Sequence, residues 1–362
     1  MFNYFLTKVV KKQDLSMEEM EKAMNMVMEG KTTHSQLAGF LVGLNMKGET
    51  VDEITASAKV MREKALPFNY QSDNLLDTCG TGGDGKGTFN ISTAVAFVLA
   101  AAGVSVAKHG NRSVSSKSGS ADVLESLGVN ISLSVNLVEE CLKEINIAFL
   151  FAPDFHKATQ YAAVPRKELG IRTIFNLLGP LTNPAKVKYQ LMGIYDPTLV
   201  YPIAEVLRNL GVKRAMVVHG AGGVDEFSLA GKNKVAFLSD EKIEELEIAP
   251  EDVGLKRYDL EEIKGGTAQE NKEIILSIFN GAKGPKRDVV LFNSAAALLV
   301  THVVENFEDG VRYAQEIIDS KKALRKLQDM IEFTNFLTVQ NWYLSFNKIL
   351  YEINIGIWNL CG

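Results

Sequence analysis

Residues 77–93 read DTCGTGGDGKGTFNIST, and this stretch decides the fold. It continues from the apolar run LLDTC and leads into an apolar segment of helical character, so the chain turns here from a strand into a helix. Five glycines within residues 80–87 let the backbone approach a ligand closely and adopt positive φ angles. Successive N–H groups that lead into a helix N-terminus bind anions. The turn therefore predicts a phosphate site at the carboxyl end of a strand; the alternative is a tight turn without a ligand.

Two familiar phosphate motifs fail in this turn. The spacing from Gly80 to Gly85 matches G-x-G-x-x-G, but no acidic residue follows near Ser105 to hold a ribose, as dinucleotide-binding proteins require. The same stretch begins like a P-loop, but Gly87 stands where Ser or Thr must bind magnesium. These two failures leave a phosphate cradle of another kind.

Asp84 lies inside the predicted cradle, where a carboxylate should repel a phosphate. It is better explained by nearby sugar hydroxyls, a metal ion or cationic side chains. Short hydrogen-bond donors follow at the start of the helix, namely Thr88, Asn90, Ser92 and Thr93. Ser92 can also offer an oxygen to magnesium. Asn90 or Ser92 is alternatively, or in addition, the helix N-cap.

From residue 74 onward, apolar runs of strand length alternate with segments of helical pattern. This alternation predicts an α/β fold with a mostly parallel central sheet and helices on its faces. The region 232–248 is more polar and is expected to form a small antiparallel edge, whereas 271–327 returns to helices. The expected buried strands are LLDTC, VSVAKH, IAFLF, YQLMGIY and AMVVHG, and helices are expected at 92–102, 137–145 and 200–210.

The first 70 residues read as all-helical. Three capping boxes begin at Ser16, Thr33 and Thr50, each with Glu or Gln three residues later. Gly30 and Gly48 stand where helix C-terminal caps are expected. Three short amphipathic helices bury little surface alone. We therefore expect them to pack on the rest of the chain or on a second subunit.

Bulk composition excludes several classes of protein. The 362 residues are 46% hydrophobic, which suits two domains of unequal size. A net charge of -5 disfavours a nucleic-acid partner, and three widely spaced cysteines without CxxC indicate reduced thiols. The N-terminus lacks a secretory signal pattern, and the apolar run 94–107 is shorter than the about 20 residues of a membrane span. We expect a cytoplasmic protein with no membrane partner.

A basic segment, KHGNRSVSS, occupies residues 108–116. It follows the strand VSVA and so lies at the strand's carboxyl end, the edge at which open α/β sheets bind ligands. Lys108, His109 and Arg112 concentrate positive charge there, while Gly110 and the serines add backbone freedom and small donors. We expect a second wall for a polyanion; the alternative is a solvated, flexible loop.

Asp225 and Glu226 follow the strand AMVVHG and a short glycine loop. Adjacent carboxylates at this edge can be magnesium ligands, because Mg²⁺ prefers oxygen and commonly bridges protein carboxylates to substrate phosphates. An isolated Asp-Glu pair is more often surface charge. The metal interpretation therefore depends on the phosphate site predicted beside it.

Together these segments resemble the anthranilate phosphoribosyltransferase family. The resemblance covers residues 1–335 approximately, with the motifs in family order at family-like spacing. The motifs are GTGGDGKGTFNIST, KHGNRSVSSKSGSADVLE, RKELGIRTIFNLLGPLTNP and VVHGAGGVDE, and the helical start QLAGFLVGLNMKGETVDEI is also similar. The resemblance implies transfer of the 5-phosphoribosyl group from phosphoribosyl pyrophosphate (PRPP) to anthranilate, a step of tryptophan biosynthesis.

The resemblance also implies an architecture. A helical domain of residues 1–70, joined by helices near 160–185, would form a homodimer and contribute to the anthranilate site. Residues 71–335 would form an α/β domain of the nucleoside phosphorylase and phosphoribosyltransferase type that binds PRPP. The segment 336–362 extends beyond the usual family end and receives no function.

Site residues are implied by position in the matching motifs. The PRPP contacts implied are Gly80, Gly83, Asp84, Thr88, Asn90, Ile91, Ser92, Thr93, Lys108, His109, Gly110, Asn111, Arg112, Ser113, Val114, Ser115, Ser116 and Ser120. The anthranilate contacts implied are Gly80, Asn111 and Arg166, and the ligands implied for two Mg²⁺ ions per subunit are Ser92, Asp225 and Glu226.

At two positions next to predicted site residues, the sequence differs from the family pattern. The order Val164-Pro165 precedes Arg166 where the family usually has Pro-Val, which could rotate the start of that helix. The loop 221–223 reads Ala-Gly-Gly where acidic residues are common, although the metal pair that follows is intact.

Three other functions compete with this interpretation. A pyrimidine nucleoside phosphorylase would share the fold, but the segment RKELGIRTIFNLLGPL suits an aromatic acid better than a nucleobase. A non-catalytic paralogue that binds nucleic acid should show a basic surface and eroded motifs. A nucleotide-dependent switch or dehydrogenase would need the motifs that fail at residues 77–93.

Overall fold

The computed structural model describes residues 1–113 and 117–336. The chain begins with helices, as the sequence predicts, and the side chains of Ser16, Thr33 and Thr50 all close capping boxes. The helix that precedes them was not predicted, because no side chain caps its start. These helices are α1 (Phe2–Val10), α2 (Met17–Met28), α3 (His34–Lys47) and α4 (Val51–Lys64).

A seven-stranded sheet follows, with the order β3-β2-β1-β4-β5-β6-β7. The first five strands in this order are parallel, and β6 and β7 add an antiparallel edge. The predicted fold class, including the antiparallel edge near 232–248, is confirmed. The strands are β1 (Leu75–Gly80), β2 (Ser105–Gly110), β3 (Ile147–Phe151), β4 (Tyr189–Gly193), β5 (Arg214–His219), β6 (Asn233–Ser239) and β7 (Lys242–Ile248).

The remaining helices lie between and after the strands. Those between the strands are α5 (Ile91–Ala101), α6 (Ser120–Ser126), α7 (Val135–Ile145), α8 (Ala152–Phe155), α9 (Gln160–Leu169), α10 (Phe175–Leu181) and α11 (Val200–Asn209). Those after the strands are α12 (Ala268–Phe279), α13 (Pro285–Val300), α14 (Phe307–Asp319) and α15 (322–336). The helices of the described part are all too short or too polar to cross a membrane.

Each face of the sheet has its own core. On β5, Met216 and Val218 point into a core formed with α5, α13 and α14, whereas Ala215 and Val217 point to the opposite side. This alternation follows from the two-residue period of a strand. The second core joins the sheet to α1–α4, α10 and α11. The N-terminal helices therefore bury their apolar faces against the rest of the chain.

Candidate functional site

The carboxyl ends of the parallel strands β1, β2, β4 and β5 meet at one edge of the sheet, and the predicted motifs follow these ends. The glycine turn (residues 80–88) follows β1, and the basic segment starts at the end of β2. Asp225 and Glu226 lie just beyond β5. Parallel pairing sets this arrangement, because strand ends of one polarity must share an edge.

Glycine is required in the turn by its backbone. Gly82, Gly83, Gly85 and Gly87 have φ of 66°, 71°, 72° and 68°, which side-chain-bearing residues rarely adopt. Asp84 closes the turn on itself, because its Oδ1 accepts from the N–H of Lys86 at 3.0 Å. Among the described residues, no acceptor pairs with the N–H groups of Gly83, Asp84 or Gly85. The turn thus presents unpaired donors, as an anion site requires.

Asp225 and Glu226 tie the glycine turn to helix α5. Asp225 Oδ2 accepts from the N–H of Gly82 at 2.6 Å, and Glu226 Oε1 accepts from the N–H of Ser92 at 3.1 Å. Glu226 therefore satisfies a free donor at the start of α5. Asp225 is buried, with 9% of its surface exposed, and Glu226 is half-buried.

Two glycines at strand ends make room for Asp225. A Cβ atom on Gly80 would overlap the Asp225 carboxylate, and a Cβ on Gly193 would overlap its backbone carbonyl. Gly80 was predicted as a site residue from its motif. Gly193, at the end of β4, was not, because only the folded sheet brings it beside Asp225.

Three carboxylates converge at this point. Burial raises the pKa of Asp225, and the charge of Asp84 raises it further; burial and the charge of Asp225 raise the pKa of Glu226. Asp84 Oδ2 is buried without a hydrogen-bond partner among the described residues. A cation at this position would relieve the repulsion and bind the orphaned oxygen.

The described side chains do not by themselves form a group of three or more His, Cys, Asp or Glu residues placed to hold a metal ion. This agrees with Mg²⁺ chemistry, because magnesium commonly takes only one or two protein carboxylates and completes its shell with water and substrate phosphates.

Lys108 lies at the centre of the site and is 4% exposed. Its Nζ donates to the carbonyl of Thr78 at 2.5 Å and to Ser92 Oγ at 3.2 Å. Burial lowers its pKa, while the negative charges of Asp77 and Glu226 oppose that change. Lys108 thus brings a positive charge from β2 to the start of α5.

The other two basic residues of this segment differ from Lys108 in their surroundings. His109 is buried, its Nδ1 lies 3.1 Å from the carbonyl of Gly179, and burial lowers its pKa to about 3, so it is neutral. Arg112 pairs with Asp122 at 3.1 Å and with Glu125 at 2.5 Å. The prediction of a positive charge is wrong for His109, because the elements that bury it could not be seen in the local sequence. Arg112 keeps its charge, but acidic side chains of α6 pair with it.

The N-cap prediction is correct in position but not in hydrogen bonding. Asn90 occupies the N-cap position of α5 but makes no capping bond. Its Oδ1 instead accepts from Asn271 Nδ2 at 2.8 Å, and its Nδ2 donates to the carbonyl of Ser118 at 3.2 Å. Asn90 therefore joins the segment after β2 to helix α12.

The remaining predicted PRPP residues lie around this centre. Ile91 and Thr93 are buried in the first turn of α5, and Thr88 forms an isolated β-bridge with Lys264. Ser120 Oγ donates to the carbonyl of Asn111 at 3.3 Å, next to Gly110. The N–H of Ser113 donates to Asp122. Val114, Ser115 and Ser116 lie outside the described residues, as does 337–362.

Arg166 lies on α9, where its Cζ is 4.9 Å from the centroid of the Phe175 ring. Burial lowers its pKa, and no described carboxylate pairs with it. No described hydrogen bond joins it to Gly80 or Asn111. Pro165 lies inside α9 rather than at its start, with its side chain buried and Val164 exposed.

Arg172 was not among the predicted site residues, although it lies within the motif RKELGIRTIFNLLGPLTNP. Its guanidinium donates to the carbonyl of Gly83 and lies over the ring of Tyr195, with Cζ 3.9 Å from the ring centroid. Only tertiary packing brings these residues together, so the local pattern carried no sign of the contact.

Both parts of the chain match models of one family. Residues 72–324 match the a/b domain of the glycosyl transferase family, and residues 3–65 match its helical bundle domain. A protein of Petrotoga mobilis named anthranilate phosphoribosyltransferase is 75% identical over 340 residues, which are 94% of this chain and 99% of that protein. The chain belongs to the anthranilate phosphoribosyltransferase family. The resemblance predicted from the sequence is thereby confirmed.

Further members agree in sequence and structure. The anthranilate phosphoribosyltransferase of Acetivibrio thermocellus is 53% identical and covers 95% of this chain and 98% of its own. The crystal structure of the enzyme from Thermus thermophilus matches with a TM-score of 0.87 at 42% identity, over 91% of this chain and 99% of that one. The Saccharomyces cerevisiae enzyme in complex with PRPP and Mg matches with a TM-score of 0.85 at 26% identity, over 92% and 97%.

Proposed function

We propose that the protein transfers the 5-phosphoribosyl group from PRPP to anthranilate, which gives N-(5-phosphoribosyl)anthranilate and pyrophosphate in tryptophan biosynthesis. One observation carries the proposal: within a member of this family, the glycine turn, Lys108 and the Asp225–Glu226 pair meet at one sheet edge. This edge combines oriented N–H donors, a cation and carboxylates, which is the chemistry that a metal-bound diphosphate requires.

The residues fit Mg²⁺. Asp225, Glu226 and Ser92 would hold two Mg²⁺ ions per subunit. Their oxygen atoms are close together, and the two carboxylates require a positive counter-charge. When bound, magnesium neutralises charge on the departing pyrophosphate.

The turn and its neighbours would hold PRPP. The unpaired N–H groups at Gly83 and Asp84 would bind phosphate oxygens, and the α5 N-terminus would add its favourable dipole. Lys108 would stabilise negative charge that develops on the leaving group. The other residues proposed to contact PRPP are Gly80, Thr88, Asn90, Ile91, Ser92, Thr93, His109, Gly110, Asn111, Arg112, Ser113, Val114, Ser115, Ser116 and Ser120.

Little acid–base chemistry is needed for this transfer. The aromatic amine of anthranilate is neutral near pH 7 and attacks C1 of the ribose, while the bond from C1 to pyrophosphate breaks. The nitrogen then releases one proton to solvent. Rate enhancement would come from alignment of the amine with C1 and from electrostatic stabilisation of the leaving group. This agrees with the buried, neutral state of His109, the one histidine of the basic segment.

Arg166 would bind the anthranilate carboxylate. It is a largely buried guanidinium that no described carboxylate pairs with, and its planar fork matches a carboxylate in two parallel hydrogen bonds. Gly80 and Asn111 would complete the anthranilate site.

We also propose that residues 1–70 form a helical domain that mediates a homodimer, that 71–335 form the PRPP-binding domain, and that the enzyme is cytoplasmic. Exposed apolar side chains on the helical part support the dimer, namely Tyr4, Val10 and Met46, which are 56%, 64% and 69% exposed.

Anthranilate fluorescence tests the proposed reaction. The signal should fall when the protein, PRPP and Mg²⁺ are all present, and mass spectrometry should identify the phosphoribosylated product. Reactions that lack PRPP, or contain EDTA, serve as controls. A constant signal in the complete mixture would reject the proposed function.

A further inference from the structure

Arg172 contacts three parts of the molecule from one position between α9 and α10. Its guanidinium donates to the carbonyl of Gly83 in the glycine turn and lies over the ring of Tyr195, 3.9 Å from the ring centroid. Its own carbonyl accepts from Asn45 Nδ2 of α3 at 3.2 Å. Arg172 therefore links the helical part of the chain to the turn.

Tyr195 holds the guanidinium on a fixed support. Its N–H donates to Thr81 Oγ1 at 3.2 Å, and the N–H of Thr81 donates to the carbonyl of Gly193 at 3.0 Å. The ring thus belongs to the same sheet edge as the turn. Cation–π contact with that ring restricts the positions open to the guanidinium.

The contact with Gly83 sets the direction of one peptide group. The bond between Gly83 and Asp84 is trans, so its carbonyl and its N–H point in opposite directions. Because the carbonyl faces Arg172, the N–H of Asp84 faces away from it. Gly82 and Gly83 both have positive φ and carry no side chain, so this peptide could otherwise rotate and turn an oxygen toward a bound anion.

We propose that Arg172 is a positioning residue that fixes the Gly83–Asp84 peptide with its N–H directed at the diphosphate. The inference rests on the proposed function, since it assumes that the turn binds the diphosphate of PRPP. It assigns to Arg172 no contact with substrate. Its effect on PRPP should therefore depend on the support that Tyr195 provides as well as on its own charge.

The first test replaces Arg172 and measures binding and kinetics separately. Arg172→Met should raise the Kd of PRPP, measured by calorimetry with Mg²⁺, about tenfold, which corresponds to one lost oriented hydrogen bond. The KM of anthranilate should stay within about twofold. Arg172→Lys should recover part of the PRPP affinity, because a lysine can still donate to the carbonyl.

Arg312→Met is the matched control. Arg312 lies on α14, pairs with Asp309 at the surface and is 69% exposed, so its replacement removes the same charge far from the contacts described. Its PRPP affinity and kinetics should equal those of the wild type, since exposed ion pairs contribute little. Unchanged melting temperatures should accompany all variants.

Tyr195→Leu distinguishes two roles for Arg172, positioning of the Gly83–Asp84 peptide and direct contact with PRPP. It leaves the charge of Arg172 in place but removes the ring beneath it, so a positioning role predicts weaker PRPP binding here too. The proposal is overturned if Arg172→Met binds PRPP like the wild type, or if Arg172→Met is impaired while Tyr195→Leu is not. Magnesium pyrophosphate serves as a second probe, so that the comparison remains valid even if the wild type fails to transfer a phosphoribosyl group.

Discussion

Single residues decide the chemistry of this site because their surroundings change what each can do. Lys108 and His109 are neighbours on β2, yet one donates to Thr78 and Ser92 whereas the other is a buried, neutral ring. The sequence predicted both residues as part of the site and assigned a positive charge to each. The difference arises from packing by α10 and the residues around it, which only the fold supplies.

Replacement of Arg166 should separate the two substrates. Arg166→Ala should raise the KM of anthranilate at least about tenfold, because a buried carboxylate loses its bidentate partner. The Kd of PRPP should change little, since no described contact joins Arg166 to the glycine turn. Steady-state kinetics with each substrate varied would test this, and equal losses for both would contradict the assignment.

Gly193→Ala should disturb the acidic pair by direct steric overlap with Asp225. The added methyl would overlap the backbone of Asp225, so the strand ends must separate, at about 1–3 kcal/mol of stability. The Mg²⁺ concentration for half-maximal activity should rise as Asp225 moves.

Gly39→Ala provides the matched control for this glycine. Gly39 lies within α3, where an added Cβ meets only Leu6 at 3.4 Å. Gly39→Ala should leave the Mg²⁺ concentration for half-maximal activity unchanged and should slightly stabilise α3. Identical Mg²⁺ titrations for Gly193→Ala and the wild type would rule out the steric account.

At the scale of elements, strands and caps were predictable, whereas contacts between elements were not. Buried parallel strands read as continuous apolar runs, and capping boxes are local, so β1–β5 and the starts of α2–α4 could be found. Helix α1 lacks a cap, and the ion pairs of Arg112 arise only after β2 packs beside α6. The contact of Arg172 with Gly83 joins residues 89 positions apart.

Two histidines that pack together, His109 of β2 and His156 after α8, should make the free energy of unfolding depend on pH. His109 and His156 meet edge to face with ring centroids 5.2 Å apart, and burial lowers their pKa values to about 3 and about 4. The unfolded chain binds protons at these histidines below pH about 6.5 while the folded protein does not. The contribution of these two histidines to stability should therefore fall as pH drops from about 6.5 toward 4, by about 2 kcal/mol for each histidine at pH 5.

Buried carboxylates with raised pKa values act in the opposite direction; they include Asp225, Glu226 and Asp77. Asp77 illustrates the effect. Burial raises its pKa to about 6, so the folded protein takes up a proton there between pH about 6 and 4 and regains part of the loss. Urea unfolding of the wild type and His156→Asn at pH 8 and pH 5 would measure the balance. Between pH 8 and pH 5, the difference in unfolding free energy should shift by about 2 kcal/mol in favour of the variant, because it lacks the histidine that the unfolded chain protonates. An unchanged difference would contradict the account.

At the scale of the whole molecule, the site forms because distant parts of the chain meet at one edge of the sheet. The glycine turn, Lys108 and the acidic pair come from distant parts of the chain, and the hydrogen bond from Gly82 to Asp225 joins residues 143 positions apart. Motif order and spacing were enough to predict that these segments belong together. The geometry that joins them, including Gly193 and Arg172, required the folded sheet.

Calorimetric titration of PRPP, with and without Mg²⁺, tests this convergence most directly. The wild type should bind one PRPP per chain with Mg²⁺ and far more weakly in EDTA. Lys108→Met and the double variant Asp225→Ala/Glu226→Ala should each weaken binding by about tenfold or more with Mg²⁺ present, because each removes one wall of a single site. Equal wild-type affinity with Mg²⁺ and with EDTA, or wild-type affinity in either variant, would show that these segments do not form one magnesium-dependent diphosphate site.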